Sequence, residues 1–215
     1  MMPGWRGLLT FLDRTQRKGR NTGAAATRAI AAAEALSARV IGITGSGDGR
    51  GQAHVAHGLA CLTAQFGRRT LLIAADANEN PKLNVKAASI PVDLPGTVET
   101  VKAGPATYLR LSLAKVAGPT FDPAVVRSGV IGALDAFDRV IVELPPAVQP
   151  DGPPNPVFLS AGAACDAVFL VCRTGALTEG ALTECLDNCR IGKLRLAGLL
   201  LDDTDVYANQ LLGAA

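Results

Sequence analysis

Four glycines alternate with other residues directly after the first strongly apolar segment of the chain. They are Gly45, Gly47, Gly49 and Gly51. Glycine allows backbone conformations with positive φ, so several N–H groups can converge on one anion, and a helix that begins there adds the positive end of its dipole. A strand, a glycine-rich turn and a helix in this order favour phosphate as the ligand. A turn that binds nothing is the structural alternative.

The residues that end this loop decide which phosphate chemistry is available. A P-loop ends in Gly-Lys-Ser/Thr, because the lysine neutralises the β- and γ-phosphates and the hydroxyl binds Mg²⁺. Gly51, Gln52 and Ala53 stand at those three positions here. The loop thus keeps the backbone of a phosphate cradle without the two reactive side chains.

A second pattern in the same loop is similar to the cofactor loop of short-chain dehydrogenases. It is Thr-Gly-x-x-x-Gly-x-Gly, beginning at Thr44. Those enzymes use a Tyr-x-x-x-Lys pair, in which the lysine lowers the tyrosine pKa for proton transfer. The two tyrosines of this chain, Tyr108 and Tyr207, are followed four residues later by Ser112 and Leu211. Dehydrogenase descent therefore stays an alternative for dinucleotide binding and has no proton donor for catalysis.

The elements that must position this loop follow from the apolar pattern. Short apolar runs predict six buried strands, at residues 39–44, 70–74, 108–113, 139–142, 167–171 and 196–201. Residues at helical spacing predict helices between them: Val55, Leu59, Leu62 and Phe66 after the loop, residues 123–137, and a helix from about Thr178 with Leu182, Cys185, Leu186 and Cys189 on one face. Such alternation predicts a doubly wound α/β fold, a mostly parallel sheet flanked by helices, with its site at the carboxyl ends of the strands.

Composition excludes several other classes. The chain has 215 residues, 48% of them hydrophobic, and a formal net charge of +2, which is typical of a globular protein. Near-neutral charge and 4% aromatic residues give no support for nucleic acid as a partner. Five cysteines are an odd number and favour a reducing compartment. No apolar run reaches the roughly 18 residues of a membrane span.

The first 38 residues differ from the rest. Residues 5–20 combine several arginines and a lysine with a small apolar patch, and residues 24–35 are rich in alanine, which favours helix. We expect a basic N-terminal arm and an alanine-rich helix in residues 1–38, before the main domain at 39–215. The arm is expected to be solvated, and contact with an anionic membrane surface is the alternative.

Four further segments carry a resemblance to a known family. Phe-Asp-Arg-Val-Ile-Val-Glu-Leu-Pro-Pro at 137–146 resembles the Walker B segment of bacterial tyrosine kinases and of the ParA- and MinD-type ATPases with a deviant Walker motif. Their second acidic motif is similar to residues 71–76, their Val-x-Arg-x-Gly loop to residues 165–175, and their adenine-reading strand to residues 198–202. The resemblance implies a P-loop NTPase-like three-layer sandwich of the SIMIBI class.

The sequence departs from that family at the residues that do chemistry. Gln52 replaces the phosphate-binding lysine and Ala53 replaces the Mg²⁺-binding hydroxyl. Ala74 replaces the activating aspartate, Glu143 the Walker B aspartate and Asp202 the adenine-reading asparagine. Phosphoryl transfer depends on positioning and charge neutralisation, so these losses together predict a site with essentially no turnover.

The residues that we single out follow from the motifs. No residue is assigned a catalytic role, and Asp76 and Glu143 are regarded as vestigial catalytic residues. Nucleotide or phosphate binding is assigned to Gly47, Gly49, Arg50, Gly51, Gln52, Ala53, His54, Arg173 and Asp202. Binding of ATP or ADP without strong Mg²⁺ dependence stays open, with Arg50 or a neighbouring subunit as a source of positive charge.

Smaller signals complete the expectations. His54 is expected near the loop and His57 on the helix surface, and no metal site is expected. Cys185 and Cys189 are expected to pack in the core. Residues 145–156 are interpreted as a surface loop. The family's C-terminal tyrosine cluster is reduced to Tyr207.

The resemblance also implies a biological role. It implies a cytoplasmic, catalytically degenerate tyrosine-kinase-like protein that acts as a partner or regulator of an inner-membrane polysaccharide co-polymerase, with homo-oligomers and peripheral membrane contact through residues 5–20 as open possibilities. If the site were active, the reaction would be ATP hydrolysis or tyrosine autophosphorylation. An active ParA/MinD-like ATPase in localisation or partition is the alternative.

Overall fold

A computed structural model describes residues 22–47, 50–74, 84–87, 97–103, 106–112, 123–149, 153–173 and 177–202. Its centre is an eight-stranded sheet with the order β3-β4-β5-β2-β6-β1-β7-β8. The strands are β1 Val40–Gly45, β2 Thr70–Ala74, β3 Asn84–Ala87, β4 Thr97–Ala103, β5 Ala106–Ser112, β6 Arg139–Glu143, β7 Ala167–Arg173 and β8 Leu196–Asp202.

The direction of the strands confirms the predicted fold class. Strands β5, β2, β6, β1, β7 and β8, in this order, pair parallel with one another, whereas the β3–β4 and β4–β5 pairs are antiparallel. Parallel strands have their carboxyl ends at one edge of the sheet, so the glycine loop after β1 lies at the same edge as the ends of β2, β6 and β7.

Each of the six predicted apolar runs forms a strand, and two strands were not predicted. Strands β3 and β4 lie in or beside the polar, proline-punctuated stretch that precedes residue 96. Antiparallel strands at the end of a sheet can leave one face solvated, so they lack the continuous apolar run of a central parallel strand. Their alternating pattern is weaker evidence than the runs that identified β1 and β2.

Five helices connect or flank the described strands. They are α1 Thr22–Ala35, α2 Arg50–Gln65, α3 Pro123–Gly132, α4 Pro156–Ala163 and α5 Glu179–Ile191, and a short 3₁₀ turn, Ala133–Asp135, follows α3. The Thr178 hydroxyl caps α5 by accepting from the Ala181 N–H at 3.2 Å. The Asn155 side chain caps α4 by accepting from the Val157 N–H at 2.8 Å. Helix α4 was not predicted, because its proline-rich approach indicated a loop.

Two apolar clusters, one on each face of the sheet, produce a three-layer arrangement. Consecutive residues of one strand belong to different clusters: Val40 lies in the cluster that contains Phe158 of α4, and Ile41 lies in the cluster that contains Leu59 of α2. Side chains alternate between the faces of a strand, so continuous apolar runs are required where helices cover both faces.

Helix α1 covers part of the same face as α2. Ala26, Ala29 and Ala33, which share one side of the helix, are all buried. At its end, the Glu34 carboxylate accepts from Arg139 at 2.7 Å and from Arg68 at 3.3 Å, which links α1 to the starts of β6 and β2. The division at residue 38 stays a prediction, and the basic segment 5–20 lies outside the described residues.

No helix in the described part of the chain has the length and apolar character needed to cross a bilayer.

Candidate functional site

The glycine loop leaves the sheet between two neighbouring strands. The Ser46 N–H donates to the Val171 carbonyl on β7 at 3.1 Å, and the Gly45 carbonyl accepts from the Ala147 N–H at 2.9 Å. Gly47 is exposed, and α2 begins at Arg50. The beginning of the loop is therefore fixed by backbone hydrogen bonds on both sides.

Gln52, at the position of the family lysine, is buried and engaged with the protein itself. Its Nε2 donates to the Leu144 carbonyl at 2.8 Å, directly after β6. Its Oε1 lies so close to Gly45 that a Cβ atom there would overlap it. This oxygen has no hydrogen-bond partner within the described residues. The Gln52 side chain is thus directed into the junction between β1 and β6.

The neighbouring positions provide no metal ligand in place of the missing hydroxyl and aspartate. Ala53 is buried in the first turn of α2, and Ala74 is buried at the end of β2. The sheet register places Ala74 beside Glu143 of β6, and Glu143 beside Ile43 of β1. Glu143 is a buried carboxylate at the centre of the carboxyl edge, flanked by an alanine where the family has an acid.

The segment after β6 is tied down along its length. The Leu144 N–H donates to the Ile43 carbonyl at 2.8 Å, and the Thr44 hydroxyl donates to the Pro145 carbonyl at 2.8 Å. The Asn188 amide of α5 donates to the Ala147 carbonyl at 2.8 Å.

The prediction of a surface loop is therefore wrong for Pro145 and Ala147, which are buried. The proline content indicated a loop correctly, because residues 144–149 belong to no helix or strand. It did not reveal that side chains of β1, α2 and α5 would supply hydrogen-bond donors to the carbonyls of Pro145, Leu144 and Ala147.

The two histidines of α2 lie in different environments. His54 is exposed, whereas His57 is buried, and its Nδ1 lies 2.6 Å from the Tyr108 Oη of β5. The prediction of His57 as a surface residue is wrong, because the second turn of α2 packs onto β5. Burial lowers the pKa of His57 to about 3, with smaller contributions from the positive charges of Arg110 and His54.

Tyr108 belongs to a buried polar group that the sequence analysis missed. It shares one face of β5 with Arg110, whose guanidinium lies 3.4 Å from the Glu99 carboxylate of β4. Burial raises the pKa of Tyr108, and the charge of Cys61 adds to the shift while Arg110 opposes it. The alternation of Tyr108 and Arg110 along β5 was the available signal.

The remaining predicted site residues are only partly positioned. Gly51 lies in the first turn of α2, and the register places Arg173 at the end of β7 beside Asp202 at the end of β8. Gly49 and Asp76, like Tyr207 at the chain's end, lie outside the described residues, as does the side chain of Arg50. The roles assigned to all of these residues stay predictions.

The cysteines pack as thiols in the core. Cys185 and Cys189 are buried on one face of α5, as predicted, and all five cysteines are free. Burial, with smaller effects from Cys172 and Cys189, raises the pKa of Cys185 to about 12. A thiol with such a pKa is unreactive at neutral pH.

Solved structures share this arrangement. The kinase domain of the Escherichia coli tyrosine kinase ETK matches with a TM-score of 0.58 at 19% identity, covering 76% of this chain and 67% of that one. The VpsO kinase domain matches with a TM-score of 0.59 at 17% identity, covering 88% and 97%. The fold is that of bacterial tyrosine kinase domains. A ParA-family ATPase from Chlorobium tepidum also matches, with a TM-score of 0.54 at 13% identity, covering 76% and 72%.

This P-loop fold confirms the resemblance seen in the sequence. Because the sequence identities are below 20%, the likeness shows the fold and not the activity. No protein-family model matches the sequence, and no curated protein matches it. Activity must therefore be argued from the residues of the site.

The residues present do not fit magnesium-bound ATP. Gln52 offers an uncharged amide that already donates to Leu144, and Ala53 offers a buried methyl group. Neither residue carries the positive charge that neutralises a triphosphate or the hydroxyl that binds Mg²⁺ in a P-loop. Backbone hydrogen bonds hold the described beginning of the loop at Gly45 and Ser46, and Gln52 and Ala53 add no charge to it.

Proposed function

We propose that this chain is a catalytically degenerate, tyrosine-kinase-like P-loop protein that acts through binding instead of phosphoryl transfer. The observation that carries the proposal is the hydrogen bond from Gln52 Nε2 to the Leu144 carbonyl. In an active site of this type, the residue at that position must be free to neutralise phosphate charge. Here its side chain joins α2 to the segment that follows β6.

Nucleotide titration tests this proposal directly. We expect no measurable hydrolysis of ATP and no phosphorylation of tyrosine by the purified chain. ATP and ADP are expected to raise the melting temperature slightly or not at all, and equally with and without Mg²⁺, because a native-state ligand stabilises in proportion to its affinity. Rapid hydrolysis, or strong Mg²⁺-dependent binding, would show that the site is active.

A restored site tests whether the missing side chains are the cause. The variant Gln52→Lys/Ala53→Ser/Ala74→Asp reinstates the lysine, the hydroxyl and the acid, and we expect it to gain Mg²⁺-dependent ATP binding. The variant Ala64→Ser/Gln65→Lys makes the first two changes at the other end of α2 and serves as the matched control. A gain in both variants would mean that added charge alone attracts the nucleotide.

The likeness to kinase domains supports a regulatory role beside an inner-membrane polysaccharide co-polymerase as the biological setting. In cells, loss of the protein should change the amount or chain length of an exported polysaccharide. Complementation with Glu143→Gln separates the two roles: a regulator should keep its function, whereas an enzyme that uses this carboxylate should lose it.

An active ParA/MinD-like ATPase is the second candidate, because Glu143 keeps a carboxylate at the end of β6 and a ParA-family ATPase shares the fold. ATP hydrolysis that is abolished by Glu143→Gln would favour this candidate over the first. The position of the protein in the cell would then depend on ATP.

A further inference from the structure

Strand β8 forms one end of the sheet as far as the chain is described. It pairs with β7 on one side, and no other described strand adjoins it. Its residues 196–201 are Leu-Ala-Gly-Leu-Leu-Leu, without a charge or a proline. Natural edge strands are usually protected by charged side chains, proline or a bulge against pairing with another chain. Only the irregular register near Phe169 offers such protection here.

The outer half of β8 exposes large apolar side chains on one face. Leu199 is 46% exposed and Leu201 is 62% exposed, whereas Leu200 between them is only 6% exposed and packs in the cluster beneath α1 and α2. The register places Leu199 beside Leu170, so the two exposed leucines extend the apolar cluster on the α5 face to the sheet edge. Water contacts an apolar strip that continues the core.

Charges of opposite sign flank this strip. Lys193 and Arg195 precede β8, and both are exposed. The strand ends at Asp202, and Asp203 follows it. Two β8 strands related by a twofold axis run antiparallel, so the basic start of each lies beside the acidic end of the other. The arrangement is complementary to itself.

We propose that β8 is the contact surface for a second copy of this chain, and that two copies pair antiparallel to join their sheets. A twofold contact uses the same patch on both subunits, and β8 with its flanking residues supplies every part of such a patch: a backbone edge that no described strand pairs with, a leucine strip and opposite charges at its ends. A strand from an unrelated protein would need the same order of charges from its start to its end, basic before the apolar residues and acidic after them. A second copy of this chain has this order, with Lys193 and Arg195 before the strand and Asp202 at its end.

Molecular mass as a function of concentration tests the proposal on the whole chain. We expect a dimer by sedimentation or light scattering, and at least a tenfold weaker dimer for Leu199→Lys/Leu201→Lys, because four charges would then face each other across the contact. Val125→Lys/Ile131→Lys replaces residues of similar exposure, 43% and 49%, on α3 and should leave the dimer intact. Circular dichroism should show that both variants fold.

Charge reversal tests the antiparallel direction. Arg195→Asp should weaken the dimer about threefold, as expected for an exposed ion pair, and adding Asp202→Arg to the same chain should restore it. If the double variant is weaker than the single variant, the strands do not pair antiparallel in this way.

Hydrogen exchange locates the contact. Amides of residues 196–202 should become more protected as the protein concentration rises into the dimer range. A monomer at every concentration, or a dimer in which both lysine variants behave alike, would overturn the proposal. Concentration-independent protection of β8 in a monomer would also overturn it, because another segment of the same chain would then occupy the edge.

Discussion

Helix α2 places two buried polar side chains, five residues apart, against the sheet, and they behave differently. Gln52 meets the junction of β1 and β6, where the fold family binds phosphate, and its amide carries no charge at any pH. His57 meets Tyr108 on β5, and its ring can take up a proton. Gln52 thus makes a structural contact at the position where the family has a functional lysine. His57 makes the packing of the same helix sensitive to acid.

The largest expected effect concerns acid and His57. Its folded pKa of about 3 lies below the ordinary value of 6.5, so the unfolded state binds a proton in this range and the folded state does not. The contribution of neutral His57 to stability should be fully present above about pH 6.5. The free energy of unfolding should fall as the pH is lowered, by about 2 kcal/mol between pH 7 and pH 5.

Urea unfolding at the two pH values measures this loss. His57→Gln keeps an amide that can bond to Tyr108 and should remove most of the pH dependence, whereas His54→Gln on the exposed side of α2 should retain it. Equal pH dependence in the wild type and in His57→Gln would show that another group senses the acid.

Removing the partner of His57 should have the next largest effect. Tyr108→Phe leaves the packing almost unchanged but deprives His57 Nδ1 of its buried hydroxyl, and should destabilise the fold by about 1.5 kcal/mol. Thermal or urea unfolding measures the loss. Tyr108→Phe in the His57→Gln background is the control, and the loss should depend on pH only when His57 is present.

The contact of Gln52 should be weaker and independent of pH. Gln52→Leu removes the donor to the Leu144 carbonyl, but it also removes an oxygen that has no partner among the described residues, so we expect a net loss of about 1 kcal/mol. The loss should be the same at pH 7 and pH 5. Gln65→Leu at the end of the same helix is the control and should change stability by less. A pH-dependent loss for Gln52→Leu would contradict the distinction between the two contacts.

The smallest effect is a coupling between two neighbours. Gly45→Ala introduces a Cβ against Gln52 Oε1, a flexible side-chain end that can move, and should cost about 0.5 kcal/mol. In the Gln52→Ala background most of this cost should disappear. Gly47→Ala, where a Cβ meets no atom within 4 Å, provides the comparison in the same loop. Additive losses for Gly45→Ala and Gln52→Ala would show that the two residues do not touch.

Particular elements show how far sequence reasoning reached. Strands β1 and β2 were found because a strand covered on both faces must be apolar throughout, and the helix after the loop was found from its spacing. Phe66 followed the same spacing yet lies exposed beyond the end of α2, since the helix ends at Gln65. Periodicity predicts a helix, but only the neighbouring elements decide how far its apolar face is covered.

In the candidate site, too, some features follow from the sequence and others from the tertiary structure. Replacement of the lysine, hydroxyl and acid by Gln52, Ala53 and Ala74 is fixed by the sequence, since no folding can supply a missing functional group. That Gln52 would donate to Leu144, and His57 meet Tyr108, depended on tertiary structure. These partners are 92 and 51 residues apart in the chain, and only the order of the strands and the packing of α2 bring them within hydrogen-bond distance.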